Sequence, residues 1–316
     1  MGVGFLERWR RKRDQRRADA IISKEIERIA VESEADFRAI GGYSKKLTGP
    51  AKMALAYIQD NIARIPEPVV LNPERWDADN YLHTLFVDRK AIQGFLQSSK
   101  SLQSYFKAHK EARAVALMTA DWQQKTIMGI EKEGEVARRE VPQQAYYFED
   151  HAIIEIDATL EKVRERLSNR ILRALIVKVV MEIQGLQEWN QNLERERDLL
   201  ELFVKNPHET GTASGENAEE ERLADAKEML LALENKERDL RNQIGDAHAQ
   251  LQKVEQVLLN PEPFFTVQPI TLHLNRLGIE VKQHSSDPAY AITLAKCEIV
   301  DQHQKAILWV QVDGTY

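Results

Sequence analysis

The sequence predicts an α-rich α+β fold. Its parts are a helical N-terminal domain, a small antiparallel sheet built from 125–156 and 279–312, and a long antiparallel coiled-coil helical hairpin (157–204 / 218–259). Three observations predict it. A heptad pattern runs through the second half of the chain. Short β-branched and aromatic runs flank that pattern on both sides. Of 316 residues, 43% are hydrophobic, enough for a core, while 30% are charged, a level suited to long solvated helices. The corresponding domains are 1–124, then 125–156 with 261–316, and 157–260 with its loop at 206–217.

From the N-terminus, 3–35 read as a helix with Leu6, Trp9, Ile22, Ile26 and Ile29 as its apolar positions, and Gly41-Gly42 breaks it. A helix over about 49–64 starts near Pro50, which suits a first turn. Asp77, Asp88 and Ser98 or Ser99 are caps for three short helices between 77 and 107. A further helix is expected over 110–124. From Lys125 to Ile156 the chain changes to runs such as Thr126-Ile127-Met128 and Tyr146-Tyr147-Phe148, punctuated by Gly129, Gly134 and Pro142. These predict a meander of short strands.

Leu160 opens a helix of about 45 residues, with apolar positions at Leu167, Ile171, Leu175, Val179, Ile183, Leu186, Trp189, Leu193 and Leu200. Between Ile171 and Ile183 it is apolar nearly all round, the mark of a helix buried on more than one side. The segment 206–217 (NPHETGTASGEN) is a loop by composition. The next helix carries Leu223, Ala226, Leu230, Leu233, Glu237, Leu240, Ile244, Ala247, Leu251, Val254 and Leu258 at alternating steps of three and four. Glu237 is the one polar member of this seam. A lone polar seam residue can fix helix register, and Arg195 or Arg197 of the first helix are its expected partners. Asn260-Pro261 ends the helix. A short helix at 269–276 closing on Gly278, then strands at 279–283, 290–300 and 305–312, complete the chain.

Residues 7–17 hold seven basic and two acidic side chains, a local charge of +5 against −6 for the whole chain. Trp9, Arg10, Arg11, Lys12, Arg13, Arg16 and Arg17 are therefore candidates for contact with an anionic membrane surface or another polyanion. The acidic remainder disfavours general nucleic-acid binding. One cysteine, Cys297, permits no internal disulfide, and neither a secretory signal nor a membrane-spanning run is recognised. The expected location is the cytoplasm, with the periphery of a membrane as the alternative.

Catalytic signatures are lacking. No phosphate-binding Gly-rich loop, paired Cys-x-x-Cys, His-Glu-x-x-His or nucleophile elbow occurs. Weaker groupings each have a plainer structural explanation. Asp77, Asp79 and Asn80 resemble part of a calcium loop but also suit a helix cap. Glu149-Asp150-His151 sets carboxylates beside an imidazole at a turn. His284 and His303 flank strands, and Cys297 sits in an apolar strand. No cofactor or metal is expected. The functional expectation is a non-enzymatic interaction or scaffold protein that presents the hairpin, with its seam of Leu223, Leu230, Leu233, Glu237, Leu240, Ile244 and Leu251, to a protein partner or a second copy. The alternatives are an adaptor tethered through the basic N-terminal helix to a membrane or, less favoured, to nucleic acid, and an enzyme of unrecognised type.

Overall fold

The computed structural model describes residues 19–109, 113–133, 136–205, 216–281, 288–299 and 304–314. About 58% of it is helical and 27% strand, so the sheet is a major element rather than an appendix to a helical arm. The chain divides into two compact units. One comprises residues up to Met53 with Arg173–Asn260, and the other Ala54–Leu172 with Pro261–Tyr316. Helices α2 (Tyr43–Ile62) and α6 (Leu160–Lys205) each begin in one unit and end in the other.

The second unit is built on six strands: β1 (Val69–Val70), β2 (Arg113–Glu133), β3 (Val136–Asp157), β4 (Phe265–Leu274), β5 (Tyr290–Ile299) and β6 (Lys305–Asp313). The order is β3-β2-β6-β5-β4, all antiparallel, with β1 added parallel to β6. The sheet curls into a half-barrel. At one end the chain after β4 draws the two edge strands together. Leu274 bridges Glu280, and Ile279 bridges Ala145 of β3. The Tyr146 N–H donates to the Gly278 carbonyl at 2.9 Å, and the Glu280 N–H to the Gln144 carbonyl at 2.8 Å. Gly278 suits this approach. Its φ is +72°, and a Cβ there would lie 2.9 Å from the Tyr146 carbonyl oxygen.

Both faces of the sheet are buried at its centre. On the concave face, register sets Ala116 beside Val310, Met118 beside Leu308, and Ala120 beside Ala306. With Leu272, Leu274, Ile292 and Leu294 these form the core floor. Helices α3 (Asn80–Leu85), α4 (Arg89–Ser98) and α5 (Lys100–Ala108) cover it with Leu82, Leu85, Ile92, Leu96 and Leu102. On the other face lie Leu117, Ile307 and the fully buried Trp309, with the Arg164 guanidinium 5.9 Å from the Trp309 ring centroid. Asn61 of α2 accepts the Val267 N–H at 3.0 Å. Hence Ala306 to Val310 are buried without interruption, the pattern of a strand covered on both sides.

Several expectations are corrected here. The sheet is not a small one drawn from 125–156 and 279–312. Residues 113–124 are strand rather than helix, because alternate residues Ala114, Ala116, Met118 and Ala120 are buried on one face of the sheet while the backbone pairs with β6 from Arg113 to Asp121. Burial of that kind overrides the helical preference of alanine. Residues 269–276 are not a helix either. They belong largely to β4, an edge strand that tolerates Pro269. The expected meander from 125 to 156 is instead part of one long β2–β3 hairpin.

The first unit holds a helix over 19–32 (α1), a 3₁₀ turn at Asp36–Ala39, the start of α2, the rest of α6, α7 (Glu216–Ile244) and α8 (Ala247–Leu259). Arg173 pairs with Glu32. Gln184 donates to the Ser33 carbonyl at 2.9 Å, and Gln187 to Asp36 at 2.7 Å. The expectation of one continuous coiled-coil hairpin (157–204 / 218–259) also fails. Its second limb breaks at Gly245, whose φ is +68°, and Asp246 caps the new helix by accepting the Ala249 N–H at 2.8 Å. Past that break Gln250 reaches Asp36 at 3.4 Å, so α8 serves the 3₁₀ turn rather than prolonging a seam. Heptad spacing marks any helix with one buried stripe, and α8 keeps the spacing while changing its neighbour.

Candidate interaction surfaces

The α6–α7 pair runs antiparallel. Arg197 meets Glu237 and Glu194 meets Arg241, so numbers rise along one helix as they fall along the other. Leu193, Leu233 and Leu240 form its buried apolar cluster, with Leu186 and Leu200 packed against them. Of the seam residues expected from the sequence, Leu233, Glu237, Leu240 and Leu251 are buried, and Leu223, Leu230 and Ile244 are half-buried. Leu251 belongs to α8, beyond the Gly245 break.

The Glu237 side chain is only 5% exposed. Its Oε2 accepts from Arg197 at 2.8 Å and from Arg241 at 3.3 Å, while its Oε1 is buried without a protein partner. Arg195, the other expected partner, turns instead to Asn192 at 3.3 Å. The Arg197 guanidinium titrates above its ordinary value, chiefly through its hydrogen bond to Asp198, with the charges of Glu237, Asp198 and Glu201 adding to the effect. Replacing one apolar layer with an ion cluster ties two particular heights of the helices together.

One position departs from the expected seam. Trp189 is 53% exposed, and Asn190 is buried in its place, donating to Glu194 at 2.8 Å. Away from the seam, Leu199, Leu202, Met229 and Leu231 are also exposed. Sequence reading missed them because it followed the stripe shared by the two helices. The signal was present as Leu-Leu at 199–200 and Met-Leu-Leu at 229–231. In each run only some of the residues can face the partner helix.

The β2–β3 hairpin offers a second surface. Pairing of β2 with β6 ends at Asp121, yet β2 and β3 continue paired to Glu133 and Val136. On this outer ribbon Met128 and Ile130 are exposed, and Lys125 Nζ lies 5.2 Å from the Tyr147 ring centroid.

The groupings with possible chemistry resolve differently. Asp79 caps α3 by accepting the N–H groups of Tyr81 and Leu82, and Asp77 pairs with Arg89, so neither is free to build a calcium loop. Asp150 has φ +50° at an irregularity of the β2–β3 ladder. His151, beside it, stacks on Phe86 with ring centroids 4.4 Å apart and meets Phe95 edge-on at 5.9 Å. Burial lowers its pKa, opposed by a backbone hydrogen bond at Leu85 and the charge of Asp150. His151 Nε2 is buried without a protein partner. Burial likewise pushes the Cys297 thiol up to about 12, where it is no nucleophile at neutral pH. His284 and His303 lie outside the described residues, as do Trp9, Arg10, Arg11, Lys12, Arg13, Arg16 and Arg17. Among the described residues no helix is long and apolar enough to cross a membrane, and no cluster of three metal-ligating side chains occurs. Comparison with protein-family models, with curated proteins and with solved structures finds no match.

Proposed function

We propose that this chain is a non-enzymatic interaction or scaffold protein that presents the paired helices α6 and α7 to a protein partner. The observation that carries the reading is the apolar exposure on that pair. Leu199 is 69% exposed, Leu202 59%, Met229 61% and Leu231 62%. Single exposed leucines are ordinary, whereas several at one level of a helical pair suit a docking face. Leu199 and Leu202 stand at that level with Leu231, since α6 near 200 faces α7 near 233. The α7 sequence, with nine acidic and five basic residues, favours a partner with a basic rim around an apolar centre. The same charge disfavours a second copy at this face. The single cysteine fits a cytoplasmic setting.

The test is co-purification of the full chain with and without the pair of changes Leu199→Asp and Leu202→Asp. A protein retained by the wild type and lost by the variant is expected, with circular dichroism melts unchanged. Identical sets of bound proteins would overturn the reading.

A second reading rests on the basic segment at 7–17, which would tether the chain to an anionic membrane surface. It expects co-sedimentation with phosphatidylserine vesicles that is lost when residues 1–17 are removed. Sedimentation independent of anionic lipid would sink it.

A further inference from the structure

The two strands of the outer ribbon treat their free edges differently. All three irregularities of the β2–β3 ladder fall on β3. Ile154 is extra between the partners of Leu117 and Met118. Asp150 and His151 together face Ala120. Glu140, at φ +58°, is extra between the partners of Gly129 and Ile130. The outer edge of β3 is further closed at 144–146 by residues 278–280. Pro142 lies two residues before Gln144, whose carbonyl points outward, so the missing N–H of the proline is on that same outer edge. Bulges and proline are the devices that stop an edge strand from pairing with another chain.

Strand β2 carries none of these devices. From Trp122 to Glu133 it contains no proline and no inserted residue, and among the described residues nothing pairs with its second edge. Gln123, Gln124, Lys125, Thr126, Met128 and Ile130 are exposed. The bonding pattern of β3 fixes which groups face that edge. Residues 144 and 146 bond away from β2, so their partners Thr126 and Gln124 bond away from β3. Met128 follows in the same alternation. The ribbon thus offers a row of N–H and C=O groups, of which the Ile130 carbonyl also accepts from Gln143 Nε2 at 3.2 Å, and a two-stranded ribbon standing alone is marginal in water.

We propose that this edge of β2 pairs antiparallel with the same edge of a second copy of the chain, giving a four-stranded sheet across a twofold axis at Met128. The sequence is complementary to itself in that register. A twofold axis normal to the sheet brings together residues of like parity. Centred on Met128, it places Lys125 at the height of Glu131 of the second copy, twice over. It also sets Thr126 beside Ile130, and Ile127 beside Gly129, over which the Gln143 side chain lies. Opposite charges at facing positions support this register. The β2 edge is a different surface from the α6–α7 face, and its occupant is a second copy rather than another protein.

Cysteine placement tests the register on the full chain. Met128→Cys is opposite itself across the axis, within the 4.4–6.8 Å Cα separation of a disulfide at roughly 5.5 Å. Gln124→Cys is eight positions from its mate, about 27 Å along the strand. Cys297 is half-buried, and its thiol, pushed up to about 12, competes poorly. On mild oxidation Met128→Cys is expected to form covalent dimer at least tenfold faster than Gln124→Cys. Light scattering of the unmodified protein is expected to give twice 36.4 kDa. Thr126→Pro removes an edge-facing N–H without breaking a β2–β3 bond, and is expected to return the mass to that of one chain with an unchanged melt. A single-chain mass at 100 μM together with equal cross-linking of the two cysteine variants overturns the proposal. So does a dimer that survives Thr126→Pro.

Discussion

The concave core of the sheet unit and the interface between α6 and α7 are held by different physics. Twenty buried residues, from eight elements and from Leu71 and Phe86 outside them, meet in the core. Three buried leucines and an ion cluster hold the helix pair. The core draws on burial of apolar surface, which is large and undirected. The helix pair has less to bury and uses Glu237, Arg197 and Arg241 to set which layers meet. Large cores tolerate loss of specificity before loss of stability, whereas narrow interfaces depend on directed contacts.

Five changes would break or sharpen this contrast. The largest effect is expected in the core. Trp309 is fully buried between strands and the start of α6, and Trp309→Ala should cost about 3–5 kcal/mol in a urea melt. A loss below about 1 kcal/mol would show that the sheet's second face is not packed as described. The closure of the half-barrel comes next. Gly278→Ala combines a φ of +72° with a Cβ crowding the Tyr146 carbonyl, and should destabilise by about 1–3 kcal/mol. The same change at Gly94, a helical glycine with open space around its Cβ, should be neutral or stabilising.

Glu237→Leu probes the helix pair. Arg197 retains Asp198 and Glu201 when Glu237 is gone, and leucine completes the apolar layer. A rise in the melting midpoint equivalent to ~1 kcal/mol is expected. A clear fall would mean that the ion cluster contributes to stability and not only to register. The smallest effect concerns pH. Burial holds His151 neutral, with a folded pKa below its ordinary 6.5. Its neutral form belongs to the fold, so the stability it contributes is complete above 6.5 and is lost as pH falls through the folded value. His151→Phe should flatten the decline in melting midpoint between pH 6.5 and 5, leaving stability at pH 8 little changed. An unaltered slope would place the acid sensitivity elsewhere.

Legibility in the sequence follows the same division. The partners of Glu237 were half legible. Its place among leucines at steps of three and four marked it, and position along the first helix narrowed the partner to Arg195 or Arg197. Only the structure chose Arg197 and added Arg241 and the buried Oε1. The exposed leucines were hidden by adjacency to buried ones. His151 was flagged for its carboxylate neighbours, yet what defines it is the aromatic pair Phe86 and Phe95, distant in sequence. The bulged edge of β3 and the plain edge of β2 could not be read at all. A bulge is a relation between two strands, and one strand's residues do not declare it.

By itself the sequence determined what depends on neighbours within a turn or two. Asp88 and Ser99 cap helices as expected, though Asp79 takes the place expected of Asp77; the chain from Leu160 to Lys205 is helical, and its heptad-spaced continuation presents one apolar stripe. These rest on hydrogen bonds and side-chain spacing at short range. The tertiary structure decided that Arg113–Ala120 is strand, that β4 replaces a short helix, that Gly245 divides the second limb, and that the strands curl into a half-barrel. Each of those outcomes turns on space and partners supplied by residues far along the chain, and local preference yields wherever that burial is worth more.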